Sequence, residues 1–393
     1  MTPGARVAAA IGVLEAWLAG EPAEHALTAW ARGARYAGSK DRAAVRDHVY
    51  DVLRRKGSCA ALGGGTGETG RSLMLGLLRL QGQAPQALFT GEGHAPVPLT
   101  VAEQVAPIVE PDPWRDIPGW LHPALRADLG PQADAIIAAM RDRAPLYLRV
   151  NGRKATVGQV EESLSNDGIK TKKTDHLTAL EVVENPRRLR QSAAYQAGLV
   201  EIQDLSVQMA CAAVDWPRDG RILDFCAGGG GKTLAIADRS AAALFAHDAA
   251  PRRMSDLPAR AARAGIACTI LSTDDLPRHA PYDAVLCDVP CTGSGTWRRD
   301  PEAKWRLTPG RLAELGDLQR RIVTQAAGLV APGGRLVYMT CSLLQAENTA
   351  VVEEMLLARG WRLVAARRYT PLEASDGFFV AELQRPGAGA DGS

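Results

Sequence analysis

Apolar positions recur along this chain with two different periods. From Arg6 to Arg55 the spacing is helical: Val7, Ile11, Leu14 and Leu18 share one stripe, and Val45, Val49 and Leu53 another. Gly20, Pro22 and Gly38-Ser39 punctuate these stripes, and a further helical stretch covers Ser72 to Leu80. The first hundred residues therefore predict a small all-helical domain. Between Trp120 and Val183 the patterns mix. Residues 146–151 alternate as a strand does, and residues 157–164 read as a helix. From about Arg221 strand and helix alternate regularly, which predicts a doubly wound sheet. Its strands are expected at 222–225, 243–247, 268–271, 284–288, 335–340, 362–366 and 378–383, the last two as an antiparallel pair.

Composition adds a frame. The chain has 393 residues, enough for two or three domains, and 46% hydrophobic with 23% charged residues suits a folded protein. No apolar run approaches the roughly 18–20 residues that span a bilayer. The N-terminus lacks the basic region, apolar core and cleavage site of a secretory signal. Seven scattered cysteines make no disulfide framework, so a reducing cytoplasm is expected. The net charge of +2 does not announce a nucleic-acid binder. Three basic clusters do more: Arg298, Arg299, Lys304 and Arg306; Arg149, Arg153 and Lys154; and Lys170, Lys172 and Lys173. Each alone reads as a solvated face. Their fall near the expected active edge raises the odds of phosphate contact.

Two glycine-rich loops invite comparison with phosphate cradles. Gly65 to Ser72 resembles a P-loop with Arg71 in place of Lys, but the motif needs a strand before it. Cys59-Ala60-Ala61-Leu62 is too short and small for one, so a plain loop is expected. The second run is Ile222-Leu223-Asp224-Phe225-Cys226-Ala227-Gly228-Gly229-Gly230-Gly231-Lys232-Thr233. It reads as a strand, a glycine loop and a helix start, where the backbone can approach a ligand closely. A nucleotide P-loop would need Gly at Cys226. The acids downstream point elsewhere. Asp248 ends the second strand, where a carboxylate can hold both hydroxyls of a ribose. Asp274 and Asp275 follow the third, within reach of an adenine amino group. A nucleoside without phosphates suits this row of acids better than ATP does, and S-adenosylmethionine is such a ligand.

Cys291 and Cys341 close two apolar strands, at the edge where open α/β sheets bind ligands. Cytosine C5 is too weakly nucleophilic to take a methyl group unaided. A thiolate adding to C6 makes C5 enamine-like, and a base must later remove the C5 proton so that the thiol can leave. Asp288 is placed to hydrogen-bond the edge of a flipped base, and Lys232 to hold substrate or lower a thiol pKa. Strand position does not say which thiol attacks. Cys59, Cys211, Cys268 and Cys287 read as small buried hydrophobes, and Cys226 as a packing residue within the cofactor loop.

In these motifs the chain closely resembles the Sun-type RNA cytosine-C5 methyltransferases, from about Trp120 to Gln384. The likeness rests on Leu148-Arg149-Val150-Asn151; Gln203-Asp204 with Ser206 and Gln208; Asp224 through Thr233; Asp248 with Arg253; Asp288 through Cys291; and Thr340-Cys341-Ser342 followed by Glu347-Asn348. It implies that Cys341 is the covalent nucleophile and that Cys291 assists product release. It also implies cofactor contacts from Cys226, Ala227, Gly228, Gly229, Gly230, Gly231, Lys232, Asp248, Arg253, Asp274, Asp275 and Asp288. One departure is visible. The family usually has Ala-Pro-Gly-Gly before the Lys, and loss of that Pro should loosen the loop.

The N-terminus resembles the NusB-like domain of the bacterial small-subunit rRNA enzymes, through Ser39-Lys40-Asp41-Arg42, Val45, Tyr50 and Leu53-Arg54-Arg55. The fold implied is α/β: a Rossmann-like, seven-stranded S-adenosylmethionine-dependent methyltransferase domain (201–386), preceded by a small α/β RNA-recognition segment (111–200) and an all-helical NusB-like RNA-binding domain (1–110). The tail 387–393 is expected to be disordered. The implied substrate is RNA, foremost 16S rRNA and next tRNA, acted on by a monomer without metal or membrane. The rivals from other classes are a P-loop NTPase and a non-catalytic rRNA-binding assembly factor.

Overall fold

In the computed structural model the described residues are 1–64 and 67–387. They fall into two compact units, one of residues 1–143 with 297–306, the other of 144–296 with the chain from 307 onward.

The first unit is helical. Its leading helices are α1 (Pro3–Leu18), α2 (Ala23–Gly33), α3 (Ser39–Arg54), α4 (Lys56–Gly63) and α5 (Gly70–Leu80). Thr2 and Thr69 cap α1 and α5 by accepting hydrogen bonds from the Ala5 and Ser72 amides. The predicted stripes meet inside: Val7, Leu14, Val45, Val49 and Leu53 are fully buried with Leu73 and Leu77. Cys59 to Leu62 lie within helix α4, so no strand precedes the P-loop-like run. Gly65 and Thr66 of that run lie outside the described residues. Arg71 is committed to Glu103 at 2.7 Å and to the carbonyls of Val97 and Pro98, which leaves it no phosphate role. Residues 122–129 and 133–139 are also helices of this unit, and Leu121, Leu125, Leu129, Ile136 and Ile137 are buried.

Residues 297–306 leave the sheet-bearing unit and complete the helical one. The last carbonyls of a helix lack intrahelical partners. Here Trp305 Nε1 donates to Leu53 O at 2.7 Å, and Lys304 Nζ to Arg54 O at 2.8 Å. Arg298 donates to the carbonyls of Asp142 and Arg143. Arg298 and Lys304 are therefore buried structural donors and not part of a phosphate-facing surface, which corrects the expectation for that cluster. Burial pushes the Lys304 ammonium down to about 7.

The second unit holds two sheets. The smaller is antiparallel, in the order β2 (Lys170–Lys173), β3 (Ala179–Glu184), β1 (Leu146–Val150), β4 (Val200–Ile202). Its helix Val157–Asn166 buries Val160 and Leu164 against Leu148, Val150 and Leu180. The second basic cluster spends its donors on the protein itself, although Arg153 and Lys154 remain exposed. Arg149 is buried in an ion pair with Asp238, Arg153 donates to Ala237 O, and Lys154 donates to the carbonyls of Ala197 and Arg263. The third cluster, on the edge strand β2, is exposed, as are Arg299 and Arg306 of the first.

The larger sheet has seven strands: β5 (Arg221–Asp224), β6 (Ala243–Ala246), β7 (Thr269–Ile270), β8 (Tyr282–Asp288), β9 (Val330–Thr340), β10 (Arg362–Tyr369) and β11 (Phe378–Gln384). Their order is β10-β11-β9-β8-β5-β6-β7. All seven fall on the predicted runs. Only β11 is reversed, antiparallel to both β9 and β10, and it sits one place in from the edge. β8 and β9 are parallel neighbours, with Asp288 opposite Met339. That register brings the loops after Asp288 and Thr340 to the same edge of the sheet.

Candidate active site

The glycine loop leaves β5 after Asp224 and enters the helix Gly231–Ala237. Gly230 takes φ +79° as the helix cap, and a Cβ there would lie 2.2 Å from Leu257 Cδ1, so only glycine fits. The loop is pinned despite lacking the proline. The Ala227 amide donates to His247 O, the Gly228 amide to Asp248 Oδ2 at 3.0 Å, and Gln203 Nε2 to Gly231 O at 3.0 Å. A Cβ built on Gly228 would meet Arg253 Nη2 at 3.6 Å and one on Gly231 would meet Gln203 Nε2 at 3.8 Å, both ordinary contacts with side-chain ends, so neither position is sterically closed. Cys226 packs on the apolar layer beneath, and burial raises its thiol pKa.

Asp248 is buried beside this loop with Arg253 3.3 Å away. Asp274 is exposed in the short 3-10 turn Thr273–Asp275 that follows β7. Asp275 accepts the Ser272 hydroxyl at 2.6 Å and pairs with Arg278. His247 carries a role the sequence did not suggest. Its two ring nitrogens meet Phe225 O at 2.8 Å and Thr273 Oγ1 at 3.0 Å, tying together the ends of β5, β6 and β7.

Lys232, Asp288, Cys291 and Cys341 come together at the ends of β8 and β9. Lys232 Nζ lies 2.5 Å from Asp288 Oδ2 and 5.3 Å from the Phe378 ring centre. Burial opposes its charge, but the Asp288 carboxylate outweighs that and raises the ammonium's pKa. The two Sγ atoms are 3.4 Å apart. Their surroundings break the symmetry that strand position left. The hydrogen bond from Cys291 lowers the Cys341 pKa, against burial and Asp288, and the Lys232 charge and Thr296 hydroxyl act in the same sense. The Cys291 thiol is raised by that same bond, by burial, and by the charges of Cys341 and Glu347. These surroundings favour Cys341 over Cys291 as the thiol that ionises first.

Glu347 and Asn348 hold the two cysteine loops in register. The buried Glu347 carboxylate accepts the Thr292 amide (2.8 Å) and hydroxyl (2.6 Å), the Ser342 hydroxyl (2.5 Å) and Gln319 Nε2 (3.0 Å). Asn348 bonds Thr340 Oγ1 and Ser342 O. The loops also touch through backbone: Gly295 N donates to Cys341 O, and Gly377 N to Gly295 O, both at 2.9 Å. A Cβ on Gly295 would lie 2.1 Å from Gly377 O. Glu347→Ala strands several buried donors at about 1–3 kcal/mol each, so urea denaturation should show a loss of about 3 kcal/mol or more. A loss below about 1 kcal/mol would contradict this clasp.

Asp224 lies beneath the site, fully enclosed. Thr233 Oγ1 donates to its Oδ2 at 2.7 Å, while Oδ1 has no hydrogen-bond partner. Burial lifts its pKa to about 7, against the opposing pull of Thr233 and Lys232. A raised folded-state pKa means that the folded chain binds more protons than the unfolded one between pH about 4 and 7. Its contribution to stability is thus complete at low pH and declines as pH rises through that window, by at most about 4 kcal/mol. Asp224→Asn should flatten this slope in denaturation series at successive pH values; an unchanged slope would refute the assignment.

A seven-stranded sheet with one reversed strand, a glycine loop after its first strand and acids after the next two define a Rossmann-like methyltransferase fold. The chain belongs to the 16S rRNA methyltransferase RsmB/F family, whose model matches residues 212–384, and residues 117–188 match the ferredoxin-like domain of Methyltr_RsmF/B-like proteins. It is 31% identical to the ribosomal RNA small subunit methyltransferase B of Xylella fastidiosa (strain 9a5c), over 68% of each chain. With the protein of that name from Vibrio cholerae the identity is 32% over 68% of this chain, and the match spans 65% of that relative's length. NSun6 from Pyrococcus horikoshii shares the fold with a TM-score of 0.61, at 20% identity, over 68% of this chain and 98% of that one. No helix among the described residues is long and apolar enough to cross a membrane.

Proposed function

We propose that the protein methylates C5 of a cytidine in RNA, foremost in 16S rRNA, through a covalent adduct between Cys341 and C6 of the base. The observation that carries this reading is the contact of two thiols in unequal electrostatic surroundings, beside the Lys232–Asp288 pair. Bound by the 226–232 loop, Asp248, Arg253 and Asp274, with Asp275 and Asp288 beside them, S-adenosylmethionine supplies an electrophilic methyl group. Cys341 thiolate adds to C6, and the proton needed at N3 is held between Asp288 and the base. C5, now enamine-like, takes the methyl group as the sulfonium S–CH3 bond breaks and its electrons stay on the departing thioether sulfur. A base then removes the C5 proton, the Cys341–C6 bond breaks, and its electrons return to sulfur. Cys291, with its sulfur 3.4 Å from the leaving one, assists this last step. The base must be flipped from its stack to reach the thiols.

In this reading the helical N-terminal part is a NusB-like RNA-binding domain, and the small antiparallel sheet contributes to RNA recognition. Methylation of a tRNA is the second reading within the family. A titration calorimeter separates the enzyme from a nucleotide-driven protein: S-adenosylmethionine binds and ATP does not. Heat from ATP with none from S-adenosylmethionine would overturn the proposal.

A further inference from the structure

The helical unit carries a basic cavity to which, of the motifs above, only Arg42 contributes. It lies between α2 and α3, has a volume of about 410 Å³, and is lined by Leu27, Trp30, Arg32, Arg35, Arg42 and Arg46, among others. That size falls within the roughly 300–1,000 Å³ of small-ligand sites. The arginines are not a spent ion-pair network. Arg46 pairs with Glu24 at 2.8 Å, and Arg42 Nε donates to Ala37 O. Arg32 and Arg35 are exposed and have no partner among the described residues. Next to Arg35, Tyr36 is 71% exposed, and its ring lies parallel to that of His94, 6.4 Å away at 12°. A planar guanidinium fork matches a phosphate bidentately and resists deprotonation. Exposed aromatic faces beside such forks take unstacked bases without regard to sequence.

We infer that this cavity binds the sugar–phosphate backbone of single-stranded RNA, with Arg32 and Arg35 on phosphates, Arg42 at the cavity wall and Tyr36 against a base. The inference rests on the reading of the protein as an RNA methyltransferase and adds a second anchoring site on the helical unit. An acidic protein segment would satisfy the charges, but it would leave the aromatic pair without a role.

The test uses the full chain and an in vitro transcript of 16S rRNA. Arg32→Ala/Arg35→Ala removes two phosphate contacts from exposed positions, so its melting curve should match wild type. Its RNA affinity should fall about tenfold at low salt, and the slope of log K against log salt should become shallower by about 1.4. Methyl transfer should show a raised KM for RNA with unchanged kcat. Arg32→Lys/Arg35→Lys should recover the salt slope. Affinity and slope equal to wild type in the double-alanine variant would overturn the inference, including in favour of a protein partner. Failure of the wild-type chain to methylate RNA would strike the reading of its activity, while the binding arm would still decide this site.

Discussion

Cys341→Ala abolishes methyl transfer and the covalent protein–RNA adduct together. C5 of cytosine becomes reactive only once a nucleophile has added to C6, so removing that nucleophile removes the chemical step and not merely a rate factor. Turnover should fall by a factor on the order of 10⁵ or more, the scale seen when a covalent nucleophile is lost. Binding of S-adenosylmethionine should survive, because the glycine loop and Asp248 are fixed by their own hydrogen bonds and not by Cys341. The substitution should also leave the fold intact: Cys341 is only partly buried, and Glu347 and Asn348 hold its loop through neighbouring residues. Turnover near wild type would move the nucleophile elsewhere, and Cys291, 3.4 Å away, is the one thiol in reach.

Cys291→Ala has the opposite signature. Two effects compete. Cys341 loses the hydrogen bond that lowers its pKa, which slows attack. Lys232 and Thr296 still favour its thiolate, so attack continues. Release of the methylated product loses the thiol that assists it, and general acid–base assistance is worth about 10²–10⁴ in rate. Release therefore becomes limiting, and the methylated adduct accumulates as a slow band on a denaturing gel while turnover falls by a factor of about 10² or more. Lost activity without a band would reverse the two roles.

The sheet was legible because its strands are apolar, β-branched runs bounded by turns, and all seven appear where that pattern lies. Cys341 and Cys291 were legible as a pair for the same reason: both end such runs. Their inequality was not legible. It arises from Lys232, Thr296 and Glu347, which chain spacing does not place around either sulfur. Glu347 illustrates the limit well: the family likeness marks Glu347-Asn348 as a motif, but only the fold shows the carboxylate clasping two loops. His247 escaped notice because a histidine at a strand end carries no pattern.

The basic clusters misled for a physical reason. A charge run looks solvated in sequence, yet long side chains can turn inward wherever helix ends leave carbonyls unpaired, as Lys304 does at Arg54. Arg149 was hidden in another way, by Asp238 on a segment 89 residues further along. The arginines of α2 and α3 were missed because they are spread over fifteen positions and gather only when the two helices pack.

The central claim is that Cys341 forms the bond to the base and Cys291 dissolves it. The direct measurement is mass spectrometry of the adduct formed by the Cys291→Ala protein with 16S rRNA transcript and S-adenosylmethionine, after digestion with protease and nuclease. The account predicts a peptide containing Cys341 that carries a C5-methylated cytidine nucleotide. A nucleotide attached to any other residue, or an adduct bearing its methyl group anywhere but on C5, would contradict it.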